Sequence, residues 1–106
     1  MGSIIIDAAG VAHEAFLVEK GIASTLGITA NTLVKLGAGR AYIITVVVAG
    51  SGAGSVHDAA AIGDAADANR FYATPVAVGS FDASWPCAKG IVVKPGTGQT
   101  IAISWA

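Results

Sequence analysis

The chain has 106 residues, 54% of them hydrophobic and only 12% charged, with a net charge of -1 at pH 7. This length fits one domain with one modest core, and its charge is about half the roughly 25% of an average soluble domain, so part of the exterior is expected to be covered by other subunits. The six basic residues are scattered rather than lined up for a row of phosphates, and residues 41–49, the longest apolar run, fall short of the roughly 20 residues a spanning helix needs, which argues against nucleic-acid and membrane partners.

The N-terminal residues MGSIIIDAAG carry no basic region before the apolar run and are not expected to be a signal peptide. Ile4, Ile5 and Ile6 begin strand-like, and residues 11–20 form a helical or extended piece anchored by Phe16 and Leu17. Residues 1–30 are assigned to an arm. GIASTLGITAN is a turn-rich connection leading to a strand over Thr32–Leu36, and the domain proper spans residues 31–106.

Gly37–Gly39 is a glycine-rich turn between two strand-prone runs and predicts a hairpin. Residues 42–48 predict the clearest strand, because Ile43, Ile44, Thr45, Val46, Val47 and Val48 are stiff at χ1 and suit a pleated surface. Both faces are apolar, so this strand is expected to be central or covered on its second side. VHDAA extends as a further strand. AAIGDAADANRF is ambiguous, since alanine favours helix while Gly63 and the Asp and Asn residues oppose one. Near the C-terminus the pattern predicts strand Gly90–Lys94, a turn at Pro95-Gly96-Thr97-Gly98, and a strand over residues 99–105. Ile101, Ile103 and Trp105 share one face of that last strand, as half of an antiparallel hairpin. Short strands separated by glycine turns predict an all-β fold, a small antiparallel β-sandwich of jelly-roll-like type.

Two glycine motifs test for phosphate chemistry. VVVAGSGAGS begins like a dinucleotide-binding βα turn, with Gly50 and Gly52 in place, but Ser55 stands at the third position. The C-terminal strands also leave no chain to complete a doubly wound sheet. PGTGQT lacks the lysine of a phosphate loop and leads into a strand, not a helix. Both are read as loops, and no cofactor is expected.

His13-Glu14 and His57-Asp58 are sequence neighbours, which an extended strand points to opposite faces. The histidines are therefore expected at the surface or an interface, with no metal site. Cys87 has no partner for a disulfide and is expected to be a half-buried small residue. No nucleophile elbow or catalytic constellation is present, and no enzyme activity is expected. Most of the aromatics are expected to pack in the core; Trp85 and Trp105 are the ones placed to be partly exposed, and where core packing does not take them each is a candidate anchor for a partner or a sugar.

Three stretches, GRAYIITVVVAG, VHDAA and SWPCAKGIVVKPGTGQTIAISW, together with the strand pattern from Thr32 to Trp105, resemble small structural proteins of tailed bacteriophages. The nearest type is the capsid decoration or cement protein of β-sandwich or jelly-roll form. That resemblance implies a virion protein on the capsid exterior, assembled in the bacterial host cytoplasm, which binds the major capsid protein lattice and stabilises the head. Binding in many copies is expected to involve homo-dimers or trimers; residues 1–30 do not carry the resemblance, and Ile4, Ile5, Ile6, Phe16, Leu17, Trp85 and Trp105 are the contact residues expected from their apolar or aromatic character. The alternative is a phage tail or fibre module, or a carbohydrate-binding β-module that uses Trp85 and Trp105 as stacking platforms.

Overall fold

The run of β-branched side chains from Ile43 to Val48 extends, as expected, into the longest strand of a computed structural model that describes residues 23–106. In chain order the strands are β1 (Ala23–Ile28), β2 (Thr32–Leu36), β3 (Gly39–Val48), β4 (Ser55–Asp58), β5 (Arg70–Ala73), β6 (Gly79–Cys87), β7 (Gly90–Lys94) and β8 (Thr100–Trp105). They form two four-stranded sheets, ordered β1-β8-β3-β6 and β2-β7-β4-β5, with every pairing antiparallel. This is the strand order of a jelly roll. Short 3-10 turns at Ile62–Asp64 and Asp67–Asn69 are the helical content of the described residues.

Ala41, Ile44 and Val46 of β3, Ile101 and Ile103 of β8, Val56 of β4, and Ile91 and Val93 of β7 meet between the sheets. Each fully buried valine or isoleucine among them contributes about 1.5–3 kcal/mol. Ile101, Ile103 and Trp105 do share the inward face, and β3 is interior to its sheet, between β8 and β6. Among the described residues nothing covers its second face: Val47 and Val48 are exposed, and Ile43 is partly so.

The expected hairpins are not hairpins. β2 pairs with β7 while β3 lies in the other sheet, and β7 and β8 are likewise divided between sheets. Gly37–Gly39 and Pro95-Gly96-Thr97-Gly98 are thus arches from one layer to the other. Turn residues reverse the chain wherever they occur, but which layer receives the next strand depends on burying both apolar faces at once. Residues 23–28, within the span assigned to an arm, form an edge strand on β8, with a register shift between Thr25 and Ile28. VHDAA leaves the sheet at Asp58, and the ambiguous segment after it becomes a loop of two 3-10 turns. Asn69 explains why it is no helix. Its side chain accepts from the Ala66 N–H at 2.9 Å and donates to the Asp64 carbonyl at 2.9 Å, a local alternative to helical bonding.

Candidate functional site

The two glycine motifs pack against each other. Ser51 N–H donates to the Thr97 carbonyl at 2.9 Å. A Cβ on Gly96 would run into the Gly52 carbonyl oxygen, and one on Gly50 into that of Thr97. Gln99 N–H closes the turn onto the Gly96 carbonyl at 3.0 Å, and Gly98 sits at φ +78°, a region that favours glycine. Buried Gln99 ties the loops together: its Oε1 accepts from Gly96 N–H at 3.0 Å and Thr74 Oγ1–H at 3.2 Å, and its Nε2 donates to the Pro75 carbonyl at 2.6 Å. The space a phosphate would need is filled by backbone.

His57 is not at the surface but 3% exposed, beneath the loop of residues 59–69. Its Nδ1 faces two acceptors, the Ala66 carbonyl at 2.9 Å and Asn69 Oδ1 at 3.0 Å, and therefore carries the proton. Nε2 then accepts from Ser55 Oγ–H at 2.7 Å. A serine, a histidine and an orienting amide in this order have the connectivity of an activated nucleophile. Adjacent sequence letters gave no sign of it, since Asn69 reaches His57 only through the loop's fold. The nearby Gly54 N–H, however, is committed to Thr74 Oγ1 at 2.8 Å and offers nothing to an oxyanion. The chain of bonds pins the loop over the outer face of the β2-β7-β4-β5 sheet, sealing Val92 there.

Asp58, on the opposite side of β4 from His57, accepts from the N–H groups of Ala88 (3.0 Å), Lys89 (2.8 Å) and Gly90 (3.3 Å). Burial pushes its pKa up, but the three amides and the Lys89 charge outweigh this and hold it below the ordinary value. Cys87 is buried rather than half-buried, and burial first, then the Asp58 carboxylate, pushes its thiol up to about 12 against a partial offset from Arg40. No group of three or more His, Cys, Asp or Glu side chains suited to a metal ion converges among the described residues.

The two tryptophans part company. Trp105 is partly buried against the core: its Nε1–H donates to Thr25 Oγ1 at 3.0 Å, and Lys35 Nζ sits 5.7 Å from the ring centroid. It is not a free platform. Trp85 is 47% exposed and stacks on Phe71, with ring centroids 5.8 Å apart and planes within 6°. A bulge in β6 sets it there, with Ala83 and Ser84 opposing Tyr42 of β3 and Ser84 at φ 43°. Trp85 borders a shallow cleft of about 300 Å³ that also takes in Asp58, Asn69, Arg70 and Lys89.

A second concavity, about 260 Å³, lies on the outer face of the β1-β8-β3-β6 sheet, among Leu26, Ile43, Thr45 and Ala102. Leu26 is 73% exposed there. Ile4, Ile5, Ile6, Phe16 and Leu17, expected as contact residues, and His13 lie outside the described residues. In comparisons with known proteins, no family model, no curated protein and no solved structure matches this chain.

Proposed function

We propose that the chain is a structural virion protein of decoration or cement type, binding in many copies to a capsid lattice and stabilising the head. The observation that carries the reading is the outer face of the β1-β8-β3-β6 sheet, which is left open among the described residues. Leu26, Ile43 and Ala102 stand there beside small hydroxyl side chains, and Thr45 Oγ1 and Ser80 Oγ satisfy each other at 2.9 Å. A sheet face with few charges and an apolar hollow has more to gain from being covered than from water. Val47 and Val48 at the end of β3, with Val76 and Val78 before β6, enlarge the exposed apolar surface. The partners are the major capsid protein and further copies of the chain, as dimers or trimers, on the capsid exterior. The resemblance to phage structural proteins points the same way.

The test mixes the purified chain with undecorated capsids of a tailed phage and follows co-sedimentation and capsid melting. Binding that raises the capsid melting temperature is expected. Leu26→Asp and Ile43→Asp, which bring an unpaired charge to the contact, should each weaken binding at least about tenfold. Failure of the unaltered chain to bind would overturn the reading, as would undiminished binding by both variants.

A further inference from the structure

The cleft beside Trp85 lies at the β5–β6 edge of the sandwich, distinct from the sheet face that carries the lattice reading. Trp85 offers a solvent-facing ring held flat by Phe71 behind it. Asn69 Oδ1 accepts from His57 and Ala66, and its Nδ2 donates one hydrogen to Asp64. Asp58 takes two amides on Oδ1 but one on Oδ2, which leaves Oδ2 with acceptor capacity. Arg70 gives one N–H to Asp67 at 3.3 Å and keeps the rest of its guanidinium donors. Lys89 makes no ion pair among the described residues.

The cleft therefore presents an aromatic face, free donors on Arg70 and Lys89, and an acceptor on Asp58. Asp58 stands in the lining against Arg70 and Lys89, and Asp67, just outside it, offsets Arg70 through their ion pair. An anionic ligand meets the Asp58 carboxylate, and a cationic one meets the guanidinium and ammonium. Hydroxyl groups, which donate and accept at once, suit both. A ring that pairs a face of C–H groups with a rim of hydroxyls matches the whole set. We propose that this cleft is a binding site for a neutral saccharide, one pyranose ring lying on Trp85 with its hydroxyls reaching Asp58, Arg70 and Lys89. The site is built on one tryptophan, since Trp105 is partly buried against the core with its indole N–H given to Thr25 and Lys35 beside its ring.

The test titrates the isotope-labelled full chain with neutral probes, namely cellopentaose, maltopentaose and N-acetylchitotetraose, and with charged ones, oligogalacturonate and a chitosan oligomer. Saturable NMR shifts at the Trp85 indole N–H and the Lys89 amide are expected with at least one neutral probe, and weaker ones with both charged probes. Trp85→Ala should weaken binding at least about tenfold. Lys89→Ala, which leaves the backbone bond to Asp58 in place, keeps the test informative if the tryptophan variant folds poorly. Absence of saturable shifts with every neutral probe would overturn the proposal, as would undiminished binding by Lys89→Ala or a preference for a charged probe. Leu26→Asp should keep its sugar binding while losing capsid binding, so the two proposals fail separately.

Discussion

The sandwich has two edges, and a tryptophan stands at each. Between β1 and β2 the indole of Trp105 turns inward, bonded to Thr25 and covered by Lys35. Between β5 and β6 the indole of Trp85 turns outward over Phe71 and borders a polar cleft. The same residue type thus seals one mouth and furnishes the other. What decides is the partner across the gap. Lys35 and Thr25 offer a cation and an acceptor that complete the ring's polar needs inside, whereas Phe71 offers only a flat apolar surface on which half the indole remains wet.

The largest expected effect breaks the sealed edge. Trp105→Ala removes a core-packed ring and its hydrogen bond, and should lower unfolding free energy by about 3 kcal/mol. Trp85→Ala, which loses one stacking face, should lower it by about 1 kcal/mol. Chemical denaturation of both variants checks the contrast through the midpoint shift at constant slope. Equal losses would mean that the two edges are energetically alike and that Trp85 is a structural plug.

An effect between those two is expected at Asp58, whose carboxylate holds the turn between β6 and β7 and so shapes the open edge. Asp58→Asn sets an NH2 group against one of the three backbone donors, at a loss of about 2 kcal/mol. Because the folded chain holds this group's pKa below the ordinary 3.8, its contribution is present above that value. It is lost as pH falls through the folded value. An acid titration of stability should therefore show a steeper decline in the unaltered chain than in Asp58→Asn. Parallel acid limbs would show that the turn draws nothing from this charge.

The contrast between edges also marks where sequence reading stops. Thr32–Leu36 and Gly90–Lys94 were legible as strands from composition alone, and the inward set Ile101, Ile103 and Trp105 from alternation. Period-two patterning is a property of one strand and its two faces. Pairing is a property of two layers, and glycine turns that look like hairpins carry β2 into β3 and β7 into β8 across the sandwich. β1 was hidden because ASTLGI contains Gly27, at φ +65°, and alternates poorly around the irregular step at Thr25–Ile28. The cleft was half legible. Trp85 stood out as a large aromatic beside Pro86, but Lys89 comes to Asp58 only through the bonds from the β6–β7 turn, and Arg70 follows a loop pinned by His57.

The finest test asks how deep the open edge runs, and Cys87 is placed to report it. It ends β6 two residues beyond the exposed Trp85, yet it is 4% exposed. Burial and the Asp58 carboxylate raise its thiol to about 12, from an ordinary value of 9.0, so the nucleophilic thiolate is scarce at neutral pH. Iodoacetamide should leave the native chain unmodified while alkylating it fully in denaturant. The folded state keeps a proton that the unfolded chain gives up, so this group's share of stability is whole below pH 9 and is lost as pH rises toward 12. Rapid native alkylation would mean that the cleft beside Trp85 continues into the core. Slow alkylation that Trp85→Ala leaves unchanged would mean that the cleft has a floor, with the indole lying on it rather than stoppering it.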